Sequence, residues 1–142
     1  MGIKDANNMG AAMAPAFADT LITHFQDTGR NPSYYDVIAS GDLGYIGKDI
    51  AIDIAKSKGY NIKSNYDDCG VLIFDKNAQD THSGGSGCAC CGTVFSGYFF
   101  KQLREKKIKK ILLIAPGALM NSTSSQQGES IPGIAHAISI EL

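Results

Sequence analysis

The run Ile111, Leu112, Leu113, Ile114 and Ala115 is apolar at every position and stops at Pro116 and Gly117. A strand with one wet face would alternate. An unbroken run of this length fits a central strand of a parallel sheet, covered on both faces. The chain must then supply helices for both faces and further strands at the sides. A polar stretch rich in Ser, Gln and Gly follows the run and returns through Ile131, Pro132 and Gly133 into an alternating segment over residues 134–141. A connection that long inside one domain is usually functional or disordered, and its composition is too specific for a neutral linker.

The rest of the chain supplies those elements. Met13, Phe17, Leu21 and Phe25 recur every four residues, which predicts a helix over residues 10–25 that starts close to Pro15 and ends before Gly29. Residues 35–40 read as a short buried strand, and Gly41, Asp42, Leu43 and Gly44 as a tight turn. Ile46, Ile50 and Ile54 form one stripe of a helix over residues 46–58, capped by Gly59. Residues 71–75 read as a second strand. A third helix spans residues 88–104, with small residues at Cys88, Gly92 and Ser96 letting it approach the sheet. The order helix, strand, helix, strand, helix, strand, strand implies an α/β layered mixed sheet, mostly parallel, with helices on both faces. The last two strands lack an intervening helix, so they pair antiparallel.

With 142 residues, 44% of them hydrophobic, the chain makes one domain with one core. A net charge of −1 excludes a nucleic-acid surface. The one basic run, over residues 106–110, sits where a helix ends and a strand begins, a place that favours lysine. No window approaches the roughly 18 apolar residues of a spanning helix, and the start of the chain, rich in Gly, Asn and Ala, is no signal peptide. Cys69, Cys88, Cys90 and Cys91 make no secreted disulfide framework, so an intracellular, reducing setting is expected.

In open α/β sheets ligands bind beyond the carboxyl ends of the strands. Three turns fall there: the one at Asp42, the one formed by Gly84, Gly85, Ser86, Gly87 and Cys88, and the one formed by Pro116, Gly117 and Ala118. Each offers backbone N–H groups or a helix N-terminus to an anion. The same glycines also serve backbone conformation alone. Cys88, Cys90 and Cys91 lack zinc spacing and point in different directions on a helix, so no metal is expected. Cys88, at the helix start, is the one candidate for a reactive thiol. His24 is expected on the surface, and His136 as a packed or hydrogen-bonded strand residue. No Ser/His/Asp or Cys/His set emerges from spacing.

The segments over residues 8–15, 35–44, 68–70, 84–88 and 126–141 together resemble the C-terminal half of the stage V sporulation protein AD (SpoVAD) family, which is thiolase-like. The likeness covers the whole chain and is most specific over residues 126–136. It implies a single thiolase-like C-terminal domain over residues 1–142, a fragment of a longer two-half protein, with a five-stranded sheet whose last strand is antiparallel. Its missing strand would precede Met1 or survive as residues 2–4.

The resemblance also implies a function: binding dipicolinic acid, with or without calcium, for uptake into the developing spore, together with an N-terminal thiolase-like half and other SpoVA proteins. In the family this takes place in peripheral association with the inner spore membrane. Catalytic positions of condensing enzymes are replaced here, by Gly41 and Asp42 and by Ser86, so no catalytic residue and no cofactor are expected. The contact candidates are Gly84, Gly85, Ser86, Gly87, Cys88, Pro116, Gly117 and Ala118. Asp42 and Glu129 join them only if a cation bridges their charge to the ligand. The competing expectations are an acyltransferase working through Cys88 and a protein-docking module using residues 117–133.

Overall fold

The computed structural model describes residues 2–85 and 87–142. Its elements are α1 (Met9–Thr28), β1 (Val37–Ser40), α2 (Gly44–Ser57), β2 (Tyr66–Asp68), α3 (Cys69–Leu72), α4 (Cys90–Val94), a π-helical turn (Phe95–Phe99), α5 (Phe100–Arg104), β3 (Lys110–Ala118), α6 (Ser122–Gln126) and β4 (Gly133–Glu141). The sheet order is β2-β1-β3-β4. β1 runs parallel to both β2 and β3, and β4 closes the sheet antiparallel to β3. This is the α/β mixed sheet that the alternation of elements predicts. It has four strands among the described residues, not the five implied by resemblance. β1 pairs directly with β2 and β3, which leaves no gap for another strand in the middle.

Two cores lie on opposite faces of the sheet. Phe17, Leu21, Phe25, Ala51 and Ala55 of α1 and α2 cover Ile38, Leu112 and Ile114. Cys90, Val94, Phe99 and Leu103 cover Ala39, Ile111 and Leu113 on the other face. The apolar run at residues 111–114 is buried because both faces are covered.

α1 starts at an Asn8 cap, whose side chain accepts the Ala11 N–H, and ends at Gly29 in the left-handed region (φ 66°). Pro15 lies well inside the helix and not at its start. The missing donor is tolerated because Ala14, Phe17, Ala18 and Leu21 on the same helix are fully buried, so packing outweighs one lost hydrogen bond.

The Ile stripe of α2 lies at the margin of the core and not at its centre: Ile50 and Ile54 pack against it partly buried. The fully buried side is Gly44, Gly47, Ala51 and Ala55, and Ile46 is 46% exposed. Close approach of α1 decides this. A Cβ on Gly47 would lie 2.8 Å from the Gly10 carbonyl carbon, and one on Gly10 would lie 2.1 Å from the Leu43 oxygen.

Residues 71–75 do not form a strand. The strand is Tyr66–Asp68, and Asp68 then caps the helical turn α3 by accepting the Val71 N–H at 3.2 Å. The third helix also turns the other way: Gly92 and Ser96 look outward, and Cys90, Val94, Phe99 and Leu103 face the sheet. In the π turn, the Phe100 N–H reaches back to the Phe95 oxygen. The extra residue in that turn makes the buried spacing four, five, four in place of a regular stripe.

The long polar connection is ordered in part. Asn121 caps α6 by accepting the Thr123 N–H at 2.9 Å, and the Ile131 N–H meets the Ile3 oxygen at 2.8 Å. No helix among the described residues is long and apolar enough to cross a membrane.

Candidate functional site

The carboxyl ends of β1 and β2 are tied together by one buried carboxylate. Asp68 Oδ2 accepts the Ser40 hydroxyl and the Leu43 N–H (2.8 Å), and Oδ1 accepts the Gly44 N–H (2.9 Å) and the Val71 N–H (3.2 Å). With the Ser40 proton directed at Asp68, the Tyr66 hydroxyl donates to Ser40 at 2.7 Å. Burial pushes the Asp68 carboxyl above its ordinary range, and the four donors pull it back. Burial also pushes the Tyr66 phenol well up. The network anchors the N-termini of α2 and α3 to the sheet. Its members Asp68, Ser40 and Tyr66 are missing from the sequence-derived site. The available signal was an Asp three residues before Val71, the pattern of a helix cap.

Above this anchor the glycine turns meet backbone to backbone. The Gly85 N–H bonds to the Gly70 oxygen at 2.6 Å, the Tyr45 N–H to the Ser83 oxygen at 2.6 Å, and the Gly84 N–H to the Thr81 oxygen at 2.9 Å. A Cβ on Gly44 would lie 2.2 Å from the Ser83 oxygen, and one on Gly70 would lie 2.2 Å from the Gly85 oxygen. These glycines are required because two main chains touch, and Gly44 also needs its positive φ of 66°. Gly84 and Gly85 have therefore committed their N–H groups inside the protein.

Asp42 sits at the open side of this cluster. Its carboxylate accepts the Gly87 N–H at 3.1 Å. Burial raises the pKa of Asp42, and the Gly87 bond offsets part of that rise. Gly41 beside it abuts Pro116 Cδ (3.2 Å from a built Cβ) and Cys91 Cβ (3.4 Å). The structure thus brings Asp42, Gly84, Gly85, Gly87 and Pro116 to one edge of the sheet. Cys88 is exposed, ahead of α4. Gly117 and Ala118 are the last residues of β3, paired with Ile134 and Gly133. Glu129 lies elsewhere, lining a cavity of about 50 Å³ with Leu119, Ser125 and Ile131. Ser86 lies outside the described residues.

The histidines differ from expectation. His24 is half-buried, with Nε2 2.6 Å from the Tyr35 hydroxyl, and burial lowers its pKa. Its helix turns it toward Tyr35 and Arg30, a tertiary neighbourhood that periodicity does not encode. His136 is exposed, opposite Ala115 on the open face of β4, because α1 packs on the other face of that end of the strand, where Thr20 bonds to the Ala135 oxygen. Among the described residues no group of three or more His, Cys, Asp or Glu is arranged to hold a metal ion.

What the fold and the site define is an α/β domain with a packed, glycine-tipped sheet edge and a single half-buried carboxyl facing outward. The chain belongs to the stage V sporulation protein AD (SpoVAD) family, whose model matches residues 1–141. It is 47% identical to the stage V sporulation protein AD of Bacillus subtilis (strain 168) over 141 residues, which is 99% of this chain and 41% of that protein. The chain therefore spans about two-fifths of the length of this relative.

Proposed function

We propose that this SpoVAD-family chain is a non-catalytic domain that holds dipicolinic acid at the edge formed by Asp42, Gly87, Cys88 and Pro116, as part of the uptake of that acid into the developing spore. The observation that carries the reading is the Asp42 carboxyl. It is half-buried, its pKa is raised by that burial, and it already rests on the Gly87 N–H. A carboxylic acid that holds its proton can donate to a ligand carboxylate, and an incoming dianion raises its pKa further. The ligand carboxylate can also take over the Gly87 N–H. In its ionised form Asp42 would instead face a calcium ion carried in by the ligand, since a hard cation takes carboxylate oxygens.

A second body fits the exposed side of the α4 face. Ile134 and Ile138 on β4 are 60% and 58% exposed, and Tyr98 and Phe100 are half exposed. In this reading an N-terminal thiolase-like half covers that surface and closes the site, and other SpoVA proteins hold the assembly at the inner spore membrane. The length of the relative is compatible with such a second half.

Isothermal titration of this chain and its Asp42→Ala variant, which has no side-chain donor or carboxylate, with dipicolinate, with and without calcium, in two buffers of different ionisation heat, tests the proposal. The expected result is saturable binding with proton uptake by the wild type, and at least tenfold weaker binding without proton uptake by the variant. Equal affinity for both proteins, or no saturable binding by the folded chain, overturns it.

A further inference from the structure

A chain of hydrogen-bonded side chains joins α1 to β4 at the end of the sheet away from Asp42. Tyr35 precedes β1 and Glu141 pairs with Lys110 at the start of β3, whereas Asp42 follows the end of β1. His24 Nε2 lies 2.6 Å from the Tyr35 hydroxyl, and that hydroxyl lies 3.2 Å from Ser139 Oγ. Ser139 Oγ lies 3.3 Å from Glu141 Oε1, two residues along the same strand face. Arg30 braces the chain from the side. One guanidinium nitrogen reaches the Tyr35 oxygen at 2.8 Å, Ser139 Oγ at 3.2 Å and Glu141 Oε1 at 2.8 Å. Tyr35, at the centre, is buried.

Counting protons sets the direction of each bond. Arg30 can only donate, and an ionised carboxylate can only accept. Glu141 is held ionised by the Tyr34 hydroxyl at 2.8 Å and by Arg30. The Tyr35 oxygen therefore accepts from Arg30, and Ser139 gives its one proton to Glu141. Tyr35 is left with one proton for two neighbours, His24 and Ser139. The Arg30 cation on its oxygen makes the phenol a better donor and a poorer acceptor. While the imidazole is neutral, the short His24 contact takes the Tyr35 proton, and Nδ1 carries the ring proton. The Tyr35–Ser139 contact then has no proton in it. A charged imidazole donates from both nitrogens. Nε2 must then donate to Tyr35, which frees the Tyr35 proton for Ser139.

We propose that His24, Tyr35 and Ser139 form a pH-operated relay between α1 and the C-terminal end of β4: proton uptake at His24 reverses its bond to Tyr35 and turns the Tyr35 hydroxyl onto Ser139. The proton comes from solvent and stays on the imidazole, and the Tyr35 proton only rotates between two acceptors. In acid the strand end gains a bond that it lacks near neutrality, and α1 places a second cation beside Arg30. The charges around His24 are Asp27 on its own helix, Arg30 after that helix, Glu141 on β4 behind Arg30, and Lys110 on β3, whose Nζ lies 3.8 Å from the Tyr34 ring centroid. Burial first and Arg30 second lower the His24 pKa, and Asp27 opposes them. The relay uses no residue of the Asp42 edge, so it stands or falls apart from dipicolinate binding.

The test is a pH titration of the isotope-labelled full chain from about pH 8 to about pH 4, read by NMR at the His24 ring nitrogens and at the backbone amides. The expected result is a neutral His24 with its proton on Nδ1, a His24 midpoint below 6.5, and Ser139 and Glu141 amide shifts that follow that midpoint. Tyr35→Phe keeps the ring against Phe25 and Tyr34. In it His24 still titrates, and the Ser139 shift at the His24 midpoint is lost, whereas a charge felt through space would survive the substitution. Ser139→Ala, at an exposed position, leaves the His24 titration in place and uncouples the Glu141 amide from it. A neutral His24 with its proton on Nε2, no His24 titration in this range, or a flat Ser139 amide in the wild type overturns the proposal. So does an undiminished Ser139 shift in Tyr35→Phe or an undiminished Glu141 shift in Ser139→Ala.

Discussion

The Asp68 carboxylate accepts the Gly44 amide at 2.9 Å, so the end of β2 fastens the start of α2. The same carboxylate fastens the end of β1 through Ser40 and the start of α3 through the Val71 N–H. Everything at the candidate edge rests on this one side chain, because the Asp42 turn lies between two of the groups it holds, Ser40 and Leu43.

Asp68→Ala leaves the Leu43, Gly44 and Val71 amides and the Ser40 hydroxyl without their shared partner. Each buried orphan costs about 1–3 kcal/mol, less than additively when neighbours relax together. A loss of about 3–5 kcal/mol is expected in urea unfolding, which is at the diagnostic end for one substitution.

Two glycine-to-alanine changes have opposite expected signs. Gly10→Ala drives a methyl into the Leu43 carbonyl and destabilises by about 1–3 kcal/mol. Gly92→Ala adds a methyl in open space on a helix and stabilises by about 0.5–1 kcal/mol. Thermal midpoints of the two variants read the contrast directly.

The pH dependence separates Asp42 from Asp36. The Asp42 pKa is raised above 3.8 in the folded chain by burial. Its contribution to stability is complete below that unfolded value and is lost as pH rises through the folded one. Asp42→Asn removes this loss, so its advantage over the wild type grows with pH across that window and then levels off. The Asp36 pKa is lowered by the Lys109 and Lys110 amides. Its contribution is present above 3.8 and lost as pH falls through the folded value, so the penalty of Asp36→Asn fades in acid. Urea midpoints from pH 3 to pH 8 check both trends.

Ile138→Lys is expected to leave folding within about 0.5 kcal/mol of the wild type, because the side chain is largely exposed. It also places a charge on an open strand edge, which discourages edge-to-edge association. Light scattering at high concentration is expected to show less self-association than the wild type. A large loss of stability would show that β4 has a partner surface within this chain.

Much of the fold was legible because it is written in local pattern. The unbroken run at residues 111–115 gave the central strand, and the absence of a crossover-length helical pattern before residues 134–141 gave the antiparallel closure, although the connection does carry the five-residue helix α6. The errors came where tertiary contact overrides period. The Ile46, Ile50 and Ile54 stripe is a regular apolar face, yet the Gly10–Gly47 approach turns the small-residue side inward. Val71, Leu72, Ile73 and Phe74 look like a strand, but the Asp68 cap begins a helical turn at Cys69. In the third helix the π turn shifts the buried face by one residue, which no regular period reveals.

The candidate site was legible only as a place. The glycines at residues 84, 85 and 87 do reach the sheet edge beside Asp42, but the N–H groups of all three are bonded within the protein. Glu129 is sequence-adjacent to the polar loop and lines a separate cavity.

Backbone amide chemical shifts of the isotope-labelled chain during a dipicolinate titration test the central claim most directly. The account predicts saturable shifts clustered at Asp42, Gly87, Cys88, Gly117 and Ala118, with no change in the chemical identity of the ligand. Shifts confined to residues 119–131, or no saturable shift anywhere in a folded chain, would contradict it.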